Sequence, residues 1–293
     1  MSTNAPDVKT CIASREDVHQ LIRWAADEGW NPGLEDDDLF YMTDSAGFFV
    51  STINKKVVAG ISLVKHTDEQ SFLGLYLCAP EHRAKGIGLA TWLAALDTIE
   101  NHAIGLDGVA DQQENYRKSG FVYHFGNQRY AGALTFSDQD RALTGQSQTV
   151  QIHRATGADL DSVVTYDASI GGFERLRFFR AWMHASRTRT LFVARSGDLI
   201  VGVIGIRKCH DGHKIGPWLA ESPFIATQLL HAVSDMTKHE SVMIDIPDVN
   251  TASLQIAEAL GMQPMFDTAR MYRGAAPAID TGRLFGVATL ELG

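Results

Sequence analysis

The spacing of apolar residues in the first 134 positions predicts a mixed α/β fold. Four short apolar runs, each bounded by turn residues, have the pattern of strands: 48–52, 57–65, 72–78 and 104–109. Apolar residues at intervals of three and four predict a helix that follows the cap residue Ser14 and ends near Asp27. A polar helix is predicted over 111–119 and a last strand around Tyr130. The region therefore contains the elements of a mixed sheet flanked by helices.

A further helix is predicted directly after a basic turn. Pro80 ends the strand before this turn, because proline cannot donate to a β-ladder. From Leu89 onward, apolar side chains recur at the helical interval, and the face that they form is expected to pack on the sheet. Its residues are Leu89, Trp92, Leu93 and Leu96.

The same pattern occurs again in the second half of the chain, 142 positions later. The matching residues are paired as Ser14 with Thr156, Gly60 with Gly202, Gly74 with Gly216, and Tyr130 with Tyr272. A repeat of this length indicates a domain duplication, since solenoid repeats are about 20–50 residues long. We therefore predict a first domain over 8–136, a linker over 137–149, a second domain over 150–276 and a C-terminal extension over 277–293.

Composition excludes several classes of protein. The 293 residues are 45% hydrophobic and 21% charged, which fits a globular chain of about two domains. The net charge of −9 argues against nucleic acid as the main partner, because that role usually needs a basic face. The sequence contains no run of 18 apolar residues, so no membrane span is predicted. Three scattered cysteines, Cys11, Cys78 and Cys209, favour reduced thiols and a cytoplasmic location.

The turn between the strand at 72–78 and the helix after it has the composition of a phosphate site. It reads Arg83-Ala84-Lys85-Gly86-Ile87-Gly88. Free backbone N–H groups and the positive end of the helix dipole meet at such a turn. The two glycines allow a phosphate to approach the backbone, and the two basic side chains add positive charge. The sequence therefore predicts that this turn binds a phosphorylated ligand.

Two motifs resemble those of one enzyme family. The spacing Arg83-x-x-Gly86-x-Gly88, after a buried strand and before a helix, resembles the pyrophosphate loop of the GNAT acyl-CoA N-acetyltransferases. Downstream, the segment from Tyr116 to Phe121 resembles that family's Tyr-x-Lys-x-Gly-Phe signature. The resemblance implies an α/β fold of two tandem GNAT-like domains, each with a mixed, mostly antiparallel sheet flanked by helices. It also implies that acetyl-CoA is the cofactor.

The resemblance further implies roles for the residues around the loop. In the family the tyrosine often lies near the sulfur of CoA and protonates the leaving thiolate, and Tyr116 is the matching residue. The pantetheine arm is expected to pair with the backbone of the central strand. The residues implied to bind acetyl-CoA are Leu77, Cys78, Ala79, Arg83, Ala84, Lys85, Gly86, Ile87, Gly88, Leu89, Asn115 and Tyr116. A packed core tyrosine followed by a glycine cap is the alternative explanation of the Tyr116 motif.

The second copy lacks this chemistry. The positions equivalent to the three motif residues of the loop hold Ile225, Gln228 and Leu230, and the preceding loop carries an acid, Glu221. An acid at that position repels a pyrophosphate. Ala257 stands where the tyrosine stands in the first copy. We therefore expect the second domain to be a structural, non-catalytic copy.

The general base is not evident from the sequence. A protonated amine must lose a proton before it attacks a thioester. Many members of the family have a glutamate on the central strand, but here residues 74–77 include no acid. We expect a water relay ordered by Tyr76 or Glu28, with Glu28 and Trp30 bordering the acceptor pocket. Alternatively, the segment that contains Glu28 and Trp30 only ends a helix and packs an indole.

Three functions remain open on the sequence alone. The first, which we favour, is acetylation of the primary amine of a small molecule. The second is an acyl-CoA sensor or interaction module, and the third is acetylation of a protein lysine or N-terminus. No metal site is expected, because Cys209, His210 and His213 flank an Asp-Gly hairpin turn. The identity of the acceptor amine and the formation of a homodimer are left undecided.

Overall fold

The computed structural model describes residues 8–99, 102–136, 150–238 and 240–293. Its strands are β1 (Lys9–Ile12), β2 (Phe48–Ile53), β3 (Lys56–Lys65), β4 (Gln70–Cys78), β5 (Ala103–Val109), β6 (Val122–Gly132), β7 (Gln151–Arg154), β8 (Arg189–Ser196), β9 (Leu199–Lys208), β10 (His213–Ala220), β11 (Val242–Pro247), β12 (Gln263–Arg273) and β13 (Leu284–Gly286). Its helices are α1 (Arg15–Asp27), α2 (Asp36–Thr43), α3 (Ile87–Leu96), α4 (Gln113–Lys118), α5 (Leu160–Gly171), α6 (Leu176–Trp182), α7 (Pro223–Thr237) and α8 (Thr251–Ala259). None of these described helices has the length and apolar character needed to cross a bilayer. The predicted linker, 137–149, lies outside the described residues.

The strands form one mixed sheet that is mostly antiparallel. Across the sheet the order is β1-β2-β3-β4-β5-β12-β6-β11-β10-β9-β8-β7, and β13 pairs with β10. The pairs β4–β5 and β10–β11 are parallel, and they occupy equivalent places in the two halves. Helix α1 packs on β4 and α3 packs on β3. The prediction of a mixed, mostly antiparallel sheet flanked by helices is confirmed.

One long strand of each half, β6 in the first and β12 in the second, joins the sheet of the other half. Strand β12 pairs with β5, where Arg273 lies opposite Ile104, and β6 pairs with β11, where Gly132 lies opposite Val242. The two exchanged strands also pair with each other. The halves therefore share one continuous sheet through a reciprocal strand exchange that the sequence did not predict. The division of the chain into separate domains stays a prediction.

A buried ion pair joins the strands at each of the two crossings. Arg129 on β6 donates to both carboxylate oxygens of Asp245 on β11, at 2.7 and 2.8 Å. Arg270 on β12 donates to both oxygens of Asp107 on β5, at 2.8 and 2.7 Å. On β5, Asp107 comes directly after Leu106, the last residue that pairs with β4. On β11, Asp245 comes directly after Ile244, the last residue that pairs with β10. The two ion pairs are therefore equivalent, and each ties one half of the chain to the other.

The first helix of each half begins in the same way. Ser14 and Asp17 form a capping box before α1, in which the serine hydroxyl accepts from the backbone N–H of Asp17 and the carboxylate accepts from that of Ser14. Thr156 and Asp159 form the same box in the second half. Such a box satisfies N–H groups that a helix start leaves unpaired. The predicted repeat is therefore present in the local structure as well.

The residues after β13, which we call the tail (287–293), cross the central strand of each half at equivalent glycines. A Cβ added to Gly216 on β10 would lie 2.2 Å from the carbonyl oxygen of Val287. A Cβ added to Gly74 on β4 would lie 2.2 Å from the carbonyl oxygen of Glu291. Both distances are far below van der Waals contact, so a side chain at either position would displace the tail. The repeated glycine therefore makes room for the tail in both halves.

The apolar face predicted for α3 is wrong in part. Trp92 is buried, but Leu89 is 58% exposed and Leu93 is 52% exposed. The hydroxyl groups of Ser51 on β2 and Thr91 on α3 are buried 2.7 Å apart, which turns the Thr91 side of the helix toward the sheet. The buried residues are Ile87, Thr91, Trp92 and Ala95. The pattern missed this face because it includes a hydroxyl that is satisfied inside the protein.

Candidate active site

The site lies where the central strand of the first half separates from its parallel neighbour. Strand β4 pairs with β5 only from Gln70 to Leu73, opposite residues 103–106. Beyond Leu73 the two strands diverge, and a cavity of about 510 Å³ opens between them. Among the described residues, no strand pairs with the edge of β4 that faces this opening. An extended ligand can therefore lie along it as an added strand.

The predicted phosphate loop forms one end of this cavity. Gly86 precedes α3 with a φ of +78°, and no side chain in the described part of the chain caps the helix. None of the backbone N–H groups of residues 84–89 has an acceptor among the described residues. A Cβ added to Gly86 would meet no atom within 4 Å, so the backbone there faces open space. These unpaired donors at a helix N-terminus fit the diphosphate of coenzyme A.

The basic residues of the loop contact the protein itself. Arg83 donates through Nε to the carbonyl oxygen of Cys78 at 2.9 Å, and its guanidinium forms an ion pair with Glu28. Lys85 donates to the carbonyl oxygen of Glu81 at 2.6 Å. The structure therefore brings Glu28 to the edge of the loop. Arg83 joins the loop, the end of β4 and the segment after α1.

Tyr116 lies against the cavity wall. Its ring stacks on that of Trp92, with centroids 5.5 Å apart and planes at 18°, and the residue is only 8% exposed. Burial raises the pKa of Tyr116 and the neighbouring Tyr76 raises it further, so the phenol keeps its proton at neutral pH. Tyr116 lines the same cavity as the loop. The two motifs, separated along the chain, are thus brought together.

Tyr76 explains the second glycine of the loop. A Cβ added to Gly88 would lie 2.8 Å from the hydroxyl oxygen of Tyr76, so glycine leaves room for this phenol beside the helix start. The Tyr76 ring meets that of Trp92 edge-on, with centroids 5.4 Å apart. Burial raises the pKa of Tyr76 as well, and Cys78 adds to that rise. Tyr76 therefore supplies a protonated phenol next to the loop.

The remaining predicted residues divide into two groups. Those that line the cavity are Glu28, Leu77, Cys78, Ala84 and Leu89, in addition to Tyr76, Arg83, Gly86, Gly88 and Tyr116. Those that do not line it are Ala79, Lys85, Ile87 and Asn115. The amide of Asn115 donates to the side chain of Gln112 at 3.0 Å. The catalytic role of Glu28 and the cofactor-binding roles of the other residues remain predictions.

The far wall of the cavity comes from the second half and the tail, which the sequence analysis missed. Phe266 and Thr268 reach it on the exchanged strand β12, and Leu290 and Glu291 reach it on the tail. Arg129 also lines it, with its guanidinium carbon 4.6 Å from the centre of the Phe266 ring. The only local signal was the repeated strand pattern, which does not say which sheet a strand joins.

The two halves of the sequence match models of one family. Residues 15–126 match the acetyltransferase (GNAT) family, and residues 163–286 match an acetyltransferase (GNAT) domain. A holothin acyltransferase of Pseudoalteromonas sp. (strain SANK 73390) is 34% identical over 282 residues, which cover 96% of this chain and 93% of that protein. The chain belongs to the GNAT acetyltransferase family. It is an acyltransferase with two tandem GNAT domains.

Solved structures share the whole architecture of this tandem GNAT. A crystal structure from Pyrococcus horikoshii superposes with a TM-score of 0.80 and 19% sequence identity. The match covers 100% of this chain and 98% of that chain. A tandem GNAT protein from the clavulanic acid biosynthesis pathway superposes with a TM-score of 0.62 and 14% sequence identity. The match covers 93% of this chain and 100% of that chain. At these identities the likeness concerns the fold.

The second half of the GNAT has the same strand divergence, but its own chain fills it. Strand β10 pairs with β11 only from His213 to Ile215. Strand β13 then pairs with β10, and the N–H of Val287 donates to the carbonyl oxygen of Asp245 at 3.0 Å. Phe285 of β13 is fully buried, with its ring 5.2 Å from that of Trp218. The space that is a cavity in the first half is therefore packed in the second.

The helix after β10 is also closed to an anion. Ser222 caps α7 by accepting from the backbone N–H of Ile225 at 3.4 Å. Glu221, directly before it, forms an ion pair with Arg283 at 2.8 Å. A side-chain cap and a carboxylate occupy the place where the first half has unpaired donors. This arrangement agrees with the loss of the glycine loop from the second copy, whose non-catalytic role stays a prediction.

Proposed function

We propose that this tandem GNAT transfers the acetyl group of acetyl-CoA to the primary amine of a small molecule. The observation that supports this most is that one cavity is lined by Arg83, Ala84, Gly86 and Gly88 of the loop, by Tyr116, and by Thr268 and Glu291 of the second half. Acetyl-CoA, when bound, supplies an activated acetyl thioester. The unpaired N–H groups of the loop are suited to hold its diphosphate.

In this proposal the chain's own groups have separate tasks. The backbone of Leu77, Cys78 and Ala79 pairs with the pantetheine arm along the open edge of β4. Tyr116 donates its proton to the leaving sulfur, which requires that it be protonated, as its raised pKa ensures at neutral pH. A water ordered by Tyr76 or Glu28 takes the proton of the attacking amine.

The shape of the site favours a small acceptor over a protein lysine or N-terminus. The end of the cavity away from the loop is walled by β12 and the tail, both of which come from the second half of the chain. The relative from Pseudoalteromonas acts on holothin, and it matches this chain over nearly its whole length. We therefore place holothin and related small amines first among the acceptors to test.

The proposal is tested by the release of free thiol from acetyl-CoA. The purified enzyme is assayed with holothin, polyamines, amino acids, aminoglycosides and lysine-containing peptides. We expect release with at least one small amine. Release only with peptides supports protein acetylation instead, and release with none, together with tight CoA binding, supports the acyl-CoA sensor.

Tyr116→Phe tests the assigned general acid. The change removes one hydroxyl and keeps the stack on Trp92. We expect kcat to fall by about 100-fold or more, in the range typical of lost acid catalysis, while the affinity for CoA measured by calorimetry is unchanged. A variant that keeps the wild-type kcat would restrict Tyr116 to packing.

A further inference from the structure

Two residues in the acceptor end of the cavity have buried oxygens without partners. Glu291 and Thr268 line the cavity and are 6% and 3% exposed. Glu291 Oε2 and Thr268 Oγ1 make no hydrogen bond to any described residue. A buried polar atom without a partner normally destabilises a protein, so two such atoms on residues that line one cavity indicate a missing hydrogen-bonding partner.

The charged neighbours of Glu291 are already engaged elsewhere. Arg129 holds Asp245, and Arg207 lies 3.3 Å from the carboxylate of Asp36. Lys214 donates to the carbonyl oxygen of Trp30 at 2.9 Å. The three cations attract Glu291 through space, yet no ion pair to its carboxylate occurs among the described residues. The carboxylate therefore has capacity for a donor that the described chain does not supply.

The backbone fixes the position of Glu291. Its carbonyl group packs against Gly74 on β4, as the short Cβ distance there requires. The next residue is held on both sides: Leu292 N–H donates to the hydroxyl of Thr289 at 2.8 Å, and His66 Nε2 donates to the carbonyl oxygen of Leu292 at 2.7 Å. The tail thus presents Glu291 at the point where the central strand opens. Such preorganisation lowers the entropy cost of binding a ligand.

We propose that Glu291, assisted by Thr268, binds the amino group of the acceptor, and that the acceptor is a primary amine carried on an apolar body. An ammonium group offers three donors and matches a carboxylate and a hydroxyl, which both accept. Trp30, Phe266 and Leu290 line the same end of the cavity and provide apolar surface for the rest of the molecule. This inference rests on the proposed function and specifies its substrate class. The degenerate second half then contributes acceptor-binding groups to the site of the first.

The experiment measures binding of benzylamine, a primary amine on an aromatic ring, to the CoA-saturated enzyme by titration calorimetry. Glu291→Gln keeps the shape of the side chain and removes its charge. We expect it to weaken benzylamine binding by about tenfold or more, because a bond to a charged group is lost. Thr268→Val is expected to weaken it by about threefold. The control, Glu258→Gln on the exposed surface of α8, is expected to bind like the wild type.

Parallel assays separate this inference from the proposed function. CoA affinity and thermal unfolding of each variant establish that the fold and the loop are intact. Benzylamine that fails to bind the wild type, or binds Glu291→Gln equally well, overturns the inference. Acetyl transfer to any amine with an undiminished kcat/KM in Glu291→Gln also overturns it while leaving the proposed function intact. Glu291-dependent binding without any thiol release upholds the site and rejects the transferase.

Discussion

The divergence of β4 from β5 and that of β10 from β11 are the same structural feature with different contents. In the first half the opening is a cavity next to an uncapped helix. In the second half β13 fills the opening and Ser222 caps the helix. Both halves have the same strand order, β1-β2-β3-β4-β5 in the first and β7-β8-β9-β10-β11 in the second. What distinguishes a binding half from a structural half is whether the chain satisfies the backbone groups of the opening itself.

The strand exchange makes the halves unequal partners in one site. The first half supplies the loop and Tyr116, while β12 and the tail supply Phe266, Thr268, Leu290 and Glu291 to the same cavity. We therefore expect the second half to be necessary for activity although it lacks the glycine loop.

The equivalent ion pairs at the crossings predict the largest loss of stability. Asp245→Asn leaves Arg129 buried without its counter-charge, and we expect the free energy of unfolding in urea to fall by about 3–5 kcal/mol. Asp107→Asn likewise leaves Arg270 without its counter-charge, and we expect a similar fall in the free energy of unfolding. Asp68→Asn, at an exposed turn, is the control and should be neutral. A variant of Asp245 as stable as the control would show that the crossing does not depend on the pair.

Acid unfolding gives an independent measure of the Asp245 pair. Burial raises the pKa of Asp245, but the charge and hydrogen bonds of Arg129 outweigh burial, so the pKa lies below its ordinary value. A carboxyl group with a lowered pKa contributes stability above its unfolded pKa of about 3.9. That contribution is lost as the pH falls through the lower folded pKa. Asp245→Asn should lack this part of the acid dependence.

The loop glycines predict the largest loss of cofactor binding. Replacing Gly86 and Gly88 together by valine forces a β-branched residue to a φ of +78° and places a Cβ 2.8 Å from the Tyr76 hydroxyl. We expect affinity for CoA, measured by calorimetry, to fall by about 100-fold, since strain and lost phosphate contacts each cost a few kcal/mol. Phe224→Ala, in the first turn of the equivalent helix α7 of the second half, should bind CoA like the wild type. If the double valine variant bound CoA with the same heat as the wild type, the assignment of this loop to diphosphate binding would be contradicted.

Much of the first half was predictable because its signals are local. The strands, the capping box at Ser14, the glycine turn and the Tyr116 helix each depend on residues close in sequence. The repeat added the second half, since Thr156 and Gly216 recur at the same spacing. The degenerate loop was also predictable, because its residue types exclude a phosphate.

The exchange and the acceptor wall were not predictable for a physical reason. Strands β6 and β12 carry the same pattern, so either can pair beside β5, and the choice depends on contacts between residues far apart in sequence. Glu291 belongs to a segment whose sequence has no motif at all. Arg83 shows a smaller limit of the same kind: its charge is visible in the sequence, but its contacts with Cys78 and Glu28 depend on the fold.

The glycines at the tail crossings predict intermediate effects that differ between the halves. Gly216→Ala and Gly74→Ala each place a methyl group 2.2 Å from a tail carbonyl, and we expect each to cost about 1–3 kcal/mol of stability. Only Gly74→Ala displaces Glu291, so it alone should raise the KM for the acceptor while leaving CoA affinity unchanged. Gly157→Ala, where a Cβ meets no atom within 4 Å, is the control. If Gly74→Ala and Gly216→Ala had the same KM for the acceptor, the tail would not be part of the acceptor site.

The smallest effect is expected at the ion pair between Arg83 and Glu28, whose side chains are 49% and 38% exposed. An exposed pair of this kind contributes about 0.2–1 kcal/mol. Glu28→Gln frees the Arg83 guanidinium for a phosphate, so CoA should bind tighter by up to about fivefold, which calorimetry can resolve. Glu114→Gln removes a comparable exposed pair with Arg117 on α4 and should leave CoA affinity unchanged.

The rate of Glu28→Gln then decides between the two residues proposed to order the water. If Glu28 orders it, kcat falls and the pH dependence of kcat changes. If Glu28 only holds Arg83, both stay as in the wild type and Tyr76 is the remaining candidate. Weaker CoA binding in this variant would mean that Arg83 needs Glu28 to hold it in position, and the loop would then depend on α1 as well as on its own glycines.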